Sequence, residues 1–312
     1  MPVAGIDLGG TKLAVAAFSD DGEMLHREVV PLGGRTGRAV GELIGSQIRN
    51  LVENHACNAA GVCVPGLYRA SRGTVWAPNI PGWDDYPLLE ELEAVVGEGI
   101  RIAIDSDRAA YILGETWRGA SRGARDAIFL AVGTGIGAGI MSDGRVIRGH
   151  GDVAGAIGWL AIDRSFGPRF AKHGCFEDQA SGPGLLRVAL DLIADNDNYN
   201  GALVKHSLID VSQVFTGYGN GDVIAVKTLD NAIELWGMAA ANLVSLFNPE
   251  MIVFGGGIFG PAIEFLDRIK AEAKRWAQPI AIEQVRFTAS ELGADAGLYG
   301  AGYLALSATE SS

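Results

Sequence analysis

Asp7, Gly9, Gly10, Thr11 and Lys12 directly follow the apolar run Val3-Ala4-Gly5-Ile6 and bring a carboxylate, two residues without Cβ, a hydroxyl and a cation into one short turn. Bare backbone N–H groups, a lysine, and an acid able to hold Mg²⁺ directly or through water are what a metal-chelated phosphate needs. The glycines let backbone approach an anion closely or take φ > 0. A Gly-Gly pair also marks an ordinary hairpin turn, so this motif alone leaves two readings open. A second glycine-rich turn decides between them. The strand-like residues 127–132 run into Gly133-Thr134-Gly135-Ile136-Gly137, which offers successive N–H groups and the Thr134 hydroxyl to an anion. No Gly-Lys-Ser/Thr follows, so this is not a Walker A loop. A third turn, Gly255-Gly256-Gly257, closes the apolar run Met251-Ile252-Val253-Phe254.

Strand and helix signals alternate around these turns, as in an α/β protein. Residues 3–8, 13–18 and 24–30 read as an antiparallel meander broken at Asp20-Asp21-Gly22, and residues 36–55 carry Val40, Leu43, Ile44, Ile48, Leu51 and Val52 at helical spacing. Short buried strands at 60–64 and 101–104 deliver Pro65-Gly66 and Ser106-Asp107 to one edge. The second half repeats the logic, with strands at 127–132, 136–141 and 251–254 and helices near 181–195, 222–247, 261–276 and 296–307. The pattern is that of a duplicated fold. The 312 residues suffice for two domains, and 48% hydrophobic with 20% charged residues places the chain among globular proteins. A net charge of -12 argues against nucleic acid or an anionic membrane as partner. Cys57, Cys63 and Cys175 fit reduced thiols better than a disulfide framework. No leader precedes the first strand, and the longest apolar stretch, around Leu235 to Phe247, is too short to span a bilayer. A cytoplasmic protein is expected.

The two phosphate-type loops and the late glycine turn resemble the phosphate 1, phosphate 2 and adenosine motifs of actin-like ATPase sugar kinases. Within that superfamily the chain is similar nearly end to end to the ROK family (repressors, open reading frames, kinases). Its P-G segment stands as Cys63-Val64-Pro65-Gly66-Leu67 and its A-P-N-x-x-G-W segment as Ala77-Pro78-Asn79-Ile80-Pro81-Gly82-Trp83. The N-D-x-x-x-x-x-L-G-E segment stands as Ser106-Asp107 with Leu113-Gly114-Glu115. G-C-x-E stands as Gly174-Cys175-Phe176-Glu177, and the C-terminal G-x-x-A-G-x-x-G-A as Gly293 to Ala301.

The resemblance implies a two-domain actin-like ATPase (ribonuclease H-like) fold with an interdomain cleft, split as 1–117 plus 295–312 and 118–294. It implies transfer of the ATP γ-phosphoryl group to a hexose hydroxyl, with O6 as the expected acceptor. Such transfer needs a metal, contacts on the phosphates and a base on the acceptor hydroxyl. The register makes Asp107 that base, and Asp105 is read as structural. Taken bare, either acid is also an ordinary helix-capping residue. Sugar contacts carry over to Gly66, Asn79, Ser106, Asp107 and Glu177, with Trp159 as a further candidate; Asn79 as a turn residue and Glu177 as a helix-dipole carboxylate are the plain alternatives. Nucleotide contacts carry over to Asp7 (through Mg²⁺), Gly9, Gly10, Thr11, Lys12, Gly133, Thr134, Gly135, Gly137, Gly255, Gly256 and Gly257, and more weakly to Ser181-Gly182. The family also allows a homodimer.

Three departures stand out. The family's E-x-G-H is here Ala156-Ile157-Gly158-Trp159, so a sugar-binding carboxylate and a histidine shared by sugar and structural zinc are both missing. An indole such as Trp159 in a loop is otherwise read as core packing. The zinc pattern C-x-C-G-x-x-G-C is reduced to Pro168, Phe170, Ala171, Gly174 and Cys175; Cys175 with His173 supplies two of the four ligands a tetrahedral site needs, so no structural zinc is expected. Ser106 replaces an asparagine beside Asp107. The altered sugar side leaves a catalytically weak sugar-binding protein as the main rival reading. An NAD-dependent oxidoreductase is a lesser one, since Gly255-Gly256-Gly257-Ile258-Phe259-Gly260 matches G-x-G-x-x-G but about two further elements fit after it. A repressor is discounted for want of an N-terminal helix-turn-helix.

Overall fold

Val3–Leu8 and Ala59–Val64 are buried almost throughout, as strands covered on both faces must be. The computed structural model describes residues 1–205 and 210–310, so the last two residues of the expected 295–312 segment lie outside the described residues. In chain order the first stretch is β1 (Val3–Leu8), β2 (Lys12–Phe18), β3 (Met24–Pro31), α1 (Arg38–His55), β4 (Ala59–Val64), β5 (Leu67–Arg69), β6 (Thr74–Trp76), α2 (Leu88–Val96), β7 (Arg101–Ser106) and α3 (Asp107–Arg118). There follow β8 (Ala127–Val132), β9 (Ile136–Ser142), β10 (Arg145–Val146), a 3₁₀ turn Ile157–Trp159, α4 (Phe170–His173), α5 (Cys175–Ala180) and α6 (Gly182–Ala194). The chain continues with α7 (Val211–Gly219), α8 (Val223–Phe247), β11 (Met251–Gly255), α9 (Leu266–Trp276), α10 (Pro279–Gln284), β12 (Arg286–Ala289) and α11 (Ala296–Glu310).

One five-stranded sheet has the order β3-β2-β1-β4-β7 and another β10-β9-β8-β11-β12. The first joins an antiparallel β1–β2–β3 meander to parallel β1–β4 and β4–β7 ladders; the second shows an antiparallel β9–β10 pair and parallel β8–β11 and β11–β12 ladders. The same order of pairings in two successive stretches of one chain is the duplication that the sequence pattern suggests. Two units emerge: residues 1–125, 139–155 and 290–312, and residues 126–138 and 156–289. No helix among the described residues is long and apolar enough to cross a membrane.

In the first unit, α11 lies on α3, β4 and β1, and the small residues of the C-terminal motif allow that approach. A Cβ on Gly61 would stand 1.9 Å from the Ala301 carbonyl oxygen, and one on Gly300 1.9 Å from that of Ala110. The neighbouring Gly114 would meet Ala296 O at 2.3 Å. These are backbone contacts that cannot yield, so glycine there is a packing requirement.

Glu115, fully buried on α3, accepts from Ala120 N (2.7 Å) and Leu292 N (3.1 Å) and from the Ser290 hydroxyl. It ties α3 to the turn that leads into α11. Truncation would leave several half-buried donors without an acceptor and a void where a fully buried side chain stood, so Glu115→Ala is expected to cost about 3 kcal/mol. Urea unfolding followed by circular dichroism checks this; a midpoint equal to wild type would show that the carboxylate carries no stability.

In the second unit, Asp222 caps α8 by accepting from Ile224 N (3.0 Å) and Ala225 N (3.1 Å), and α8 stops at Asn248 in the left-handed region, φ 44°. Residues 261–276 do not form one helix. Pro261–Phe265 is a 3₁₀ turn and the α-helix starts at Leu266. More follows the Gly255 turn than the sequence suggests, because α9, α10 and β12 all fit and β12 pairs in parallel with β11.

Candidate active site

Parallel pairing sets Asp7 opposite Cys63 and Cys63 opposite Asp105, so three side chains that can carry charge share one face at the C-terminal ends of β1, β4 and β7. Asp7 follows the run that makes β1, and the turn after it is tied by Gly9 N to Lys12 O (2.9 Å), so the loop is also the hairpin of the plain reading. The N–H groups of Gly10 and Thr11 have no partner among the described residues. Burial pushes the Asp7 carboxyl up to about 6, assisted by the charge of Asp295 and opposed by a hydrogen bond from Cys63 and by Lys12. Gly297 makes room for it: a Cβ there would stand 2.7 Å from Asp7 Oδ2.

Asp107 is the first residue of α3, and the helix is capped by its neighbour. The Ser106 hydroxyl accepts from Ala109 N (3.4 Å), while Asp107 Oδ1 accepts from Arg108 N (2.8 Å). The capping alternative for Asp107 is thus filled by Ser106, which in turn is spent on the helix. Burial raises the Asp107 carboxyl to about 6, with the Asp7 charge adding to the rise and Arg108 opposing it. The same two acids and burial push the Tyr111 and Cys63 protons up. Asp105 has a different fate. It is buried, its Oδ2 accepts from Arg148 Nε at 2.8 Å and its Oδ1 accepts from Ser106 N at 2.8 Å.

Gly66 has φ 109°, and a Cβ on it would meet Trp76 O at 2.3 Å, so only glycine fits. Asn79 lies exposed in the turn after β6, and a Cβ on Gly10 would be 3.8 Å from Asn79 Cβ. The first unit therefore brings the Asp7–Lys12 loop beside Asn79 and Asp7 into the field of Asp107. Arg108 and Arg148 carry no motif signal in the sequence. Cys63 and Gly297 stand in quoted motifs, but only the strand register and the α11 packing reveal what they touch.

In the second unit the Gly133–Gly137 hairpin, the Ser181-Gly182 turn and the Gly255–Gly257 turn come together. Gly182 N donates to Gly133 O (2.8 Å), and a Cβ on Gly133 would be 3.9 Å from Gly257 N. Gly256 takes φ 88°, and a Cβ on it would stand 2.4 Å from the Val132 carbonyl oxygen. Gly133 N is used by Gly135 O (2.9 Å), whereas the Thr134 and Gly135 N–H groups have no partner among the described residues. Ser181 caps α6 by accepting from Gly184 N at 3.1 Å. Glu177 is more than a helix-dipole carboxylate: its Oε2 accepts from Ile136 N at 2.7 Å and so holds the hairpin. A Cβ on Gly158 would stand 3.0 Å from the Glu177 side chain, which places the Ala156–Trp159 turn against that acid. Trp159 itself is 57% exposed, so the core-packing reading of this indole is not what the fold shows. Among the described residues no group of three or more His, Cys, Asp and Glu could hold a metal, and Cys175 is buried.

Comparison with known proteins gives this arrangement its relatives. The ROK family model matches residues 3–308. A glucokinase of Halalkalibacterium halodurans is 31% identical over 96% of this chain and 93% of its own. A ROK hexokinase structure from Thermus thermophilus covers all of both chains at 29% identity with a TM-score of 0.84. A ROK family glucokinase from Streptomyces griseus, solved with glucose and AMPPNP, is 29% identical over 98% of this chain and 99% of its own, with a TM-score of 0.78.

Proposed function

The chain belongs to the ROK family and has its actin-like ATPase fold, and from that premise we propose an ATP-dependent sugar kinase that phosphorylates a hexose or hexose derivative at O6. Membership and the kinase relatives support the carbohydrate kinase; the sugar and the accepting hydroxyl are our own reading. The observation that carries it is the placement of Asp107, part-buried and not spent on capping, within the field of Asp7 at the ends of two strands that flank β4 in one parallel set.

The residues fit a metal–nucleotide. Asp7 keeps acceptor capacity beyond its Cys63 contact, in a cradle that a Cβ on Gly297 would fill. When bound, Mg²⁺ would supply positive charge that offsets that of the phosphates. Asp7 would hold it directly or through water, Lys12 would face the phosphates, and the open N–H groups of Gly10, Thr11, Thr134 and Gly135 would donate to them. Asp107 takes the proton of the sugar hydroxyl as that oxygen forms its bond to the γ-phosphorus. The bond from phosphorus to the bridging oxygen breaks, and its electron pair leaves with ADP. Asn79 and Glu177 would hold ring hydroxyls.

Coupled ADP release measured over hexoses, amino sugars, deoxy sugars and cyclitols tests this. Sugar-dependent release with at least one hexose derivative is the expected result. ATP binding with no release on any sugar would favour the weak sugar-binding relative that Ala156 and Trp159 suggest.

A further inference from the structure

Arg108 stands next to Asp107, at an unspecified position of the N-D-x-x-x-x-x-L-G-E segment, so the family resemblance gives it no role. Its guanidinium donates to two neutral carbonyls, Val153 O at 3.2 Å and, weakly, Gly66 O at 3.5 Å. Among the described residues no carboxylate pairs with it, in contrast to Arg148, which is committed to Asp105. A guanidinium has five donors in a fixed fork, so Arg108 is anchored by two of them with the rest uncommitted. It is anchored on Gly66, the residue that shapes the pocket wall, and its charge reaches the Asp107 carboxylate. Beside it the Ser106 hydroxyl is spent on Ala109 N, which leaves the uncommitted fork as the donor group next to Asp107. Such a fork pairs best with a group rich in acceptors.

We propose that Arg108 is a specificity-determining residue that pairs with a carboxylate on the accepted sugar, making the substrate a sugar acid. This rests on the sugar-kinase reading above. The guanidinium fork matches a carboxylate in two parallel hydrogen bonds, whereas a hydroxyl engages one donor at most. A sugar whose hydroxyl meets Asp107 then presents its acid group to the neighbouring residue of the same helix.

Isothermal titration of the whole protein without nucleotide reads this independently of turnover. D-gluconate, D-glucuronate and 2-keto-3-deoxy-D-gluconate are compared with D-glucose and with glucose 1-phosphate. At least one acid is expected to bind about tenfold or more tighter than glucose, the size of a charge-assisted pair. Arg108→Gln is expected to reduce that acid-to-glucose ratio by about tenfold or more, and Arg108→Lys to fall between, because it keeps the charge without the fork. Glucose or glucose 1-phosphate preferred by the wild type overturns the assignment, and this arm needs no variant to fold. So does Arg108→Gln weakening ATP while leaving the sugar ratio intact, which would place the guanidinium on the nucleotide. Acid-selective binding without any ADP release would sink the kinase reading and keep this one; turnover with neutral sugars preferred would do the reverse.

Discussion

Asp107→Asn is expected to lower kcat by about 10²-fold or more with ATP affinity little changed, because it removes proton acceptance and leaves the phosphate loops alone. Steady-state kinetics with separate nucleotide titration checks this; retention of more than about a tenth of the rate would remove Asp107 from the role of general base. The electrostatics add two readouts. Asp107 must be ionised to accept a proton and is held up at about 6, so wild-type kcat/KM is expected to fall as pH drops below that value. The proton is bound more tightly in the folded chain than in the unfolded one, so this group favours folding at low pH and loses that contribution as pH rises through about 4 to 6. Asparagine carries no such charge. The inactive variant should therefore melt slightly higher than wild type at pH 7, by an amount of the order of 1 kcal/mol for a part-buried group.

The sequence made the main elements legible wherever one signal dominated. The apolar runs of β1, β4, β8 and β11 and the helical spacing in α1 and α8 agree with the structure to within two residues, because burial on both faces or on one stripe writes a period into the chain. The short β5–β6 hairpin, α10 and β12 escaped notice. Leu67–Arg69 and Thr74–Trp76 are three residues each, and Arg286–Ala289 is four, lengths over which alternation cannot be told from chance. The helix expected at 261–276 opens instead with the 3₁₀ turn Pro261–Phe265, and α9 begins at Leu266. The candidate site divided in the same way. Glycine turns and acids at strand ends were visible as motifs, whereas the Arg148–Asp105 pair and the Arg108 anchors depend on contacts across more than forty positions, which no local pattern reports. Trp159 shows the limit of residue-type reasoning, since an indole is core material by size but is exposed in this turn.

Glucose is expected to be a poor substrate of the unmodified chain, and the double substitution Ala156→Glu with Trp159→His is expected to move activity toward it. Both positions flank a turn that lies on Glu177, through Gly158, whose absent side chain leaves room for the contact. A carboxylate at 156 and an imidazole at 159 would therefore enter beside an acid already fixed by Ile136 N, and would restore the acceptors that ring hydroxyls need. Each restored charged hydrogen bond is worth roughly 1.5 to 3 kcal/mol, so glucose kcat/KM should rise about tenfold or more for each one realised. The substitutions leave Arg108 in place, so the preferred acid keeps its partner while glucose gains acceptors. Measured side by side, glucose should thus close on the preferred acid in kcat/KM in the double variant. Efficient glucose phosphorylation by the wild type, or a double variant that gains nothing on glucose, would show that ring recognition in this chain is carried by other residues, with Asn79 and Glu177 the first to substitute.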